Sequence, residues 1–126
     1  MVFYKSKGEK IKTRRQLKVE SMLRKEIEEI IRKDVSDPRI CFFTITYVHI
    51  TGDLKNVKVG ISFIGNESQV KDAFRGILSA KNFIKYKLGQ KISLKFTPNI
   101  EFELDERKEY RIEQLLKEIR EEKDEN

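Results

Sequence analysis

The sequence has no tryptophan, one cysteine, one histidine and two prolines among its 126 residues. Each shortage closes off a class of protein. A lone cysteine, Cys41, excludes an internal disulfide and fits a reducing compartment; it reads as a small core residue. With His49 the only histidine, any Ser-His-Asp or Cys-His pair would need it. Its mid-strand position reads instead as a sheet-surface side chain. No Cys/His cluster offers zinc ligands, and neither G-x-x-x-x-G-K nor G-x-G-x-x-G occurs to cradle a phosphate. No apolar run approaches the roughly 18 residues of a membrane span. The charged N-terminus lacks the apolar stretch of a signal peptide. Asp37, Asp53 and Asp105 each fall in a predicted turn, where side-chain hydrogen bonds to the backbone explain them without a carboxylate site. The expectation is a cytoplasmic protein with no cofactor, no metal, no membrane, no small-molecule substrate and no enzyme activity.

Charge is what the chain has in abundance: 38% of residues are Asp, Glu, Lys or Arg, and the net charge is +6. Its distribution is uneven. Residues 1–40 carry a net +5, residues 41–80 +1, residues 81–100 +5 and residues 101–126 −5. Two basic blocks and an acidic end are the electrostatic footprint of a nucleic-acid binder, although a solvated charged surface also keeps a heat-tolerant protein soluble. The sharpest feature is the 28-residue stretch between Asp72 and Glu101, which contains no acid. Lys81 and Lys85 lie one helical turn apart, as do Lys87 and Lys91. Like charges at that spacing repel by a few tenths of a kcal/mol, a local cost that phosphate contacts would offset. Arg14 and Arg15 stand where a helix begins, opposing its macrodipole, so phosphate contact explains them better than helix stability does.

The length suits one domain with a self-sufficient core. Residues 1–12 read as a flexible basic arm. Thr13 is placed to cap a helix whose apolar residues Leu17, Val19, Met22, Leu23, Ile27, Ile30 and Ile31 recur at three and four; it ends near Asp34, ahead of Pro38. A strand is expected over 40–51. A second alternates, with Val57, Val59, Ile61 and Phe63 on one face, and closes an antiparallel hairpin. Ser68 is placed to cap a helix over 69–88, which Gly89 stops. Gly76, Ser79 and Asn82 are weak helix formers, so a kink or break is expected near 79–82. A third strand over 92–104 contains Pro98, which favours an edge or bulge. A helix over 106–120 and a disordered acidic tail over 121–126 close the chain. Phe42, Phe43, Phe63, Phe74, Phe83, Phe96 and Phe102 fall mostly on apolar stripes and are read as core. No RNP-like pattern offers stacking on a sheet, so backbone and shape recognition is expected.

This order is α+β, with a three-stranded sheet covered by helices on one face. It resembles a type II KH-like domain, α-β-β-α-kink-α-β, in which a Gly-x-x-Gly loop clamps RNA. Here no two glycines are three apart, and the junction reads Ser79-Ala80-Lys81-Asn82. Together with Arg14-Arg15, Asp37-Pro38-Arg39-Ile40, Thr44-Ile45-Thr46, Asp53-Leu54, Lys58-Val59, Leu88-Gly89, Pro98, Ile100, Phe102, Asp105 and Leu115-Leu116, it is similar to the ribosome-binding factor A family over about residues 13–116. Asn82 stands where that family has glycine, Lys85 where it has arginine and Asn99 where glutamate is common. The resemblance implies a monomeric, non-enzymatic factor that binds the free 30S small ribosomal subunit. It would assist late maturation and 5′-end processing of 16S rRNA and support growth in the cold. The residues expected to meet RNA are Lys12, Arg14, Arg15, Arg39, Arg75, Ser79, Lys81, Asn82, Lys85, Lys87, Lys91 and Lys95, with Ala80, Lys81 and Asn82 forming the kink. A general RNA-binding module acting outside the ribosome stays open beside this reading, as does a ribonuclease using the turn aspartates.

Overall fold

Helix α1 spans Arg14–Lys33. The Thr13 hydroxyl accepts from the Gln16 backbone N–H at 3.2 Å, and the Gln16 side chain accepts from the Thr13 N–H at 3.0 Å. This reciprocal capping box satisfies two donors that the first turn leaves open. Val19, Leu23, Ile27, Ile30 and Ile31 form its buried stripe. The structure, a computed structural model, describes residues 11–107 and 119–120. The expected basic arm therefore lies outside the described residues except for Ile11 and Lys12, as does the acidic tail and most of the expected C-terminal helix.

Strand β1 covers Phe43–Ile50, β2 Asn56–Phe63, helix α2 Glu67–Lys91 and β3 Asn99–Leu104. The central strand is β2, antiparallel to β1 and parallel to β3. The parallel return runs through α2, as a parallel crossover requires. Both helices pack on one face of the sheet. Cross-strand rows Ile45–Ile61, Val48–Val59–Phe102 and Ile50–Val57–Ile100 meet Leu23, Ile27, Ile77, Ile84 and Leu88 in the core. A register shift between Ile45 and Tyr47 makes a bulge in β1. It lets Ile45 and Val48, three residues apart, face the same core.

Several expectations shift at the element ends. The stretch 40–42 is irregular rather than strand, and Phe42 adopts a positive φ of 47°. Asn66, not Ser68, caps α2: its side chain accepts from the Gln69 N–H at 2.8 Å. Gly89 lies inside the helix rather than after it; a Cβ there would stand 2.7 Å from Thr97 Oγ1, so glycine permits a close approach to the following loop. Residues 92–98 form an irregular connection, and Pro98 sits just before β3 instead of within it. Cys41 is exposed, not core, because the chain has not yet entered the sheet there.

The expected break at 79–82 is absent. Helix α2 runs unbroken for 25 residues, and Asn82 has no positive φ. Relative to alanine, Gly76, Ser79 and Asn82 together cost about 2 kcal/mol. Burying Ile77 and Ile84, both fully inaccessible, contributes about 3–6 kcal/mol, so packing overrides propensity. Gly76 also has a packing reason: a Cβ there would lie 2.9 Å from Asp37 Oδ2 and 3.0 Å from Ile40 Cγ1. Ser79 Oγ donates to the Arg75 carbonyl at 2.9 Å, satisfying its hydroxyl within the helix. Because Asn82 is helical, Asn82→Ala should stabilise the protein by about 0.5 kcal/mol in urea unfolding. A left-handed residue there would instead make alanine destabilising by about 1 kcal/mol.

A candidate nucleic-acid interface

The structure divides the expected RNA-binding cations into two groups. One gathers at the end of the sheet where α1 begins, the β1–β2 turn closes and β3 starts. Arg14 and Arg15 are exposed in the first turn of α1, which contains no acid. Lys81 lines a cavity of about 820 Å³ together with Lys58, Asn99, Ile100 and His49. Lys85 Nζ donates to the neutral Asn99 Oδ1 at 2.6 Å. Lys55 and Lys95 line a neighbouring cleft with Arg15. Acid is sparse here: Glu101 borders the cavity and Asp53 the cleft. The Thr51 hydroxyl and the Lys55 N–H bond Asp53, holding its carboxyl below the ordinary value.

The second group lies on the opposite flank, where α2 meets α1 and the loop after it. There three of the four cations meet carboxylates. Arg39 grips Asp37 through paired contacts down to 2.7 Å, which hold the Asp37 carboxyl below its usual range. Arg75 pairs with Asp72 at 3.0 Å, and Lys91 approaches Asp34 at 4.0 Å. Lys87 lies over the Phe83 ring, 5.7 Å from its centre. With about 100° per residue, Lys85 and Lys87 project roughly 200° apart around α2. The α2 lysines Lys81, Lys85, Lys87 and Lys91 therefore do not form one patch. The stretch between Asp72 and Glu101 is free of acid along the chain but not in space.

Lys12, expected to meet RNA, is instead buried against Glu20 and His49. It is 7% exposed, its ammonium is 2.8 Å from Glu20 Oε2, and it donates to His49 Nδ1 at 2.6 Å. That contact requires the ring proton on Nε2. Glu20 also accepts the Ile50 N–H at 2.8 Å, so a carboxylate from α1 caps the free edge of β1. Lys55 and Lys58 are not among the residues expected to meet RNA because neither sits in a basic block. The alternation that put Lys58 on the face away from the core was the available signal. The aromatics also needed correction: Phe42, Phe83 and Phe96 are 74%, 41% and 57% exposed.

The sheet face away from the helices carries a second polar cluster. Tyr47 lies across Gly60, where a Cβ would collide with its ring. Its hydroxyl donates to Glu103 at 2.8 Å, and Arg107, forked onto Asp105 at 2.8 Å, stands 5.9 Å from the ring centre. Burial first, and the Glu103 carboxylate second, push the Tyr47 hydroxyl up to about 12. A raised pKa favours the neutral form in the folded state, so this stabilisation is complete below the unfolded value near 10. It fades as pH climbs toward 12. Stability should fall across that window, and Tyr47→Phe should show a shallower fall in denaturant titrations at each pH.

A two-layer α+β unit with both helices on one sheet face, a parallel return through α2 and cations collected at one end defines a KH-like domain, here without the glycine loop. The sequence profile described as ribosome-binding factor A matches residues 15–116. Ribosome-binding factor A of Staphylococcus carnosus (strain TM300) is 40% identical over 104 residues, 81% of this chain and 90% of that protein. The crystal structure of ribosome-binding factor A from Thermus thermophilus shares the fold with a TM-score of 0.63 at 21% identity, covering 71% of this chain and 94% of that one. Thermus thermophilus ribosome-binding factor A coordinates fitted into a cryo-EM map of a 30S complex give a TM-score of 0.56 at 23% identity, over 68% and 90% of the two chains. The chain belongs to the ribosome-binding factor A family. Among the described residues, no helix is long and apolar enough to cross a membrane, and no three His, Cys, Asp or Glu side chains group to hold a metal ion.

Proposed function

We propose that this protein binds the free 30S ribosomal subunit as a monomer and assists the late maturation and 5′-end processing of its 16S rRNA. The observation that carries the reading is the end of the molecule bearing Arg14, Arg15, Lys55, Lys58, Lys81, Lys85 and Lys95. Its cations greatly outnumber its acids, whereas on the opposite flank Arg39, Arg75 and Lys91 are matched with Asp37, Asp72 and Asp34. Unmatched cations release counterions from a phosphate backbone on binding. Family membership supports the ribosome as the source of that backbone, and the Thermus thermophilus coordinates fitted into a 30S complex support the small subunit.

The work such a protein does is binding, and its side chains position RNA instead of reacting with it. Phosphate contacts fix orientation without reading sequence. Cosedimentation with purified subunits tests this reading: the protein should travel with small subunits and not with large ones. Equal pelleting with both, or with neither, would remove the claim. Cells lacking the protein should accumulate 16S rRNA with unprocessed 5′ ends, most visibly at low temperature.

A further inference from the structure

We propose that the cleft between the β1–β2 turn and the α2–β3 connection receives one unstacked RNA base. The base would lie on Phe96, with its flanking phosphates held by Arg15, Lys55 and Lys95. This inference rests on the RNA-binding reading above and adds base contact to a surface otherwise suited to backbone contact.

The cleft has a volume of about 290 Å³. That is near the lower bound of the roughly 300–1,000 Å³ typical of small-molecule sites, and it suits one planar ring system. Phe96 is 57% exposed although its connection is firmly placed. Pro98, two residues on, is fully buried; Leu94, two residues back, packs on the core; and the Asn99 N–H bonds the Lys55 carbonyl at 2.8 Å. A large aromatic held outward by an anchored loop contributes little to the core. Lys95 places its ammonium 5.5 Å from the ring centre, and Arg15 and Lys55 line the same cleft.

The opposite wall is equally fixed. The Leu54 N–H bonds the Thr51 carbonyl at 2.9 Å, and Asp53 Oδ1 accepts from the Thr51 hydroxyl at 2.6 Å and the Lys55 N–H at 3.0 Å. Among the described residues, Asp53 is the one acid lining the cleft, and it is already engaged. Three cations around an exposed ring favour an anionic aromatic ligand, the chemistry of a nucleotide in a single strand. Base-on-aromatic stacking tolerates any base, since every base offers a π-face.

The test uses the full chain and three variants: Phe96→Leu, Phe96→Tyr, and Lys81→Glu with Lys85→Glu. The ligands are intact small subunits, protein-free 16S rRNA and a short oligouridylate carrying one 2-aminopurine. Phe96→Leu should weaken binding to all three roughly tenfold and abolish the quenching of 2-aminopurine fluorescence. Phe96→Tyr should restore both. Unchanged binding in Phe96→Leu, alongside weakened binding in the lysine double variant, would overturn the base site and leave the RNA-binding reading standing. Unchanged binding in both would overturn the two together. Loss of subunit binding with rRNA binding intact would make the occupant a ribosomal protein and likewise overturn the base site.

Discussion

Replacing Lys81 and Lys85 together by glutamate should weaken binding to the small subunit by at least about tenfold near 0.1 M salt, a change of roughly 1.4 kcal/mol. The plot of log affinity against log salt should also flatten by about 2, one unit for each phosphate no longer neutralised. Both lysines project from α2 toward β3, where Lys81 shares a cavity wall with Lys58 and Lys85 donates to the neutral Asn99. The matched control is Arg75→Glu with Lys91→Glu, which makes the same change in net charge on the same helix. Those cations already face Asp72 and Asp34, so subunit binding should change by less than about threefold. Surface pairs of this kind contribute only about 0–1 kcal/mol to stability, and both double variants should fold. Equal losses in the two would mean that net charge matters and the basic end does not.

Removing the Glu20 carboxylate should have the largest effect on stability. In Glu20→Ala the Lys12 ammonium is left without that carboxylate in a site where it is 7% exposed, and the Ile50 N–H is left without its acceptor. Breaking a buried pair from one side costs about 3–5 kcal/mol, a large share of the roughly 5–15 kcal/mol that typically separates folded from unfolded. The double variant Lys12→Met with Glu20→Gln leaves neither charge of the pair buried there and keeps an acceptor near Ile50. It should recover most of the loss. A urea midpoint for the double variant no better than for Glu20→Ala would show that Lys12 and Glu20 do not act as a unit. The pair also matters for the interface, because Lys12 and Thr13 lead directly into the turn that displays Arg14 and Arg15.

Lys12 and Lys85 also mark where the sequence was legible and where it was not. Helix α1 was readable to the residue, since Thr13 caps it and apolar residues recur at three and four. The alternation of Val57, Val59, Ile61 and Phe63 placed β2 correctly, because one face is buried and a slip would expose it. Helix α2 runs through its centre without the break that propensity suggests. Gly76, Ser79 and Asn82 look like a breaking point by propensity, but Gly76 answers to the approach of Asp37 and Ile40, which belong to the loop after α1. Distance along the chain also hid the chemistry of the cations. Lys91 and Asp34 are far apart in sequence and close in space, so a stretch that reads as uniformly basic is partly neutralised by another element. Lys12 was read as part of a free arm because its acid partner, Glu20, lies on the next element and resembles a solvent-facing helix residue. Phe96 was assigned to the core from the apolar stripe of a strand expected to start at 92; β3 begins only at Asn99, so Phe96 falls in the connection before it.

The central claim is that one end of the molecule, and not its opposite flank, faces ribosomal RNA. A cryo-EM map of this protein on the small ribosomal subunit tests it most directly. The map should show Arg15, the β1–β2 turn at Lys55, and Lys81 against rRNA phosphates, with Asp37 and Asp72 turned to solvent. A map with the Arg39–Asp37 and Arg75–Asp72 flank against the RNA and the β1–β2 turn in solvent would contradict it.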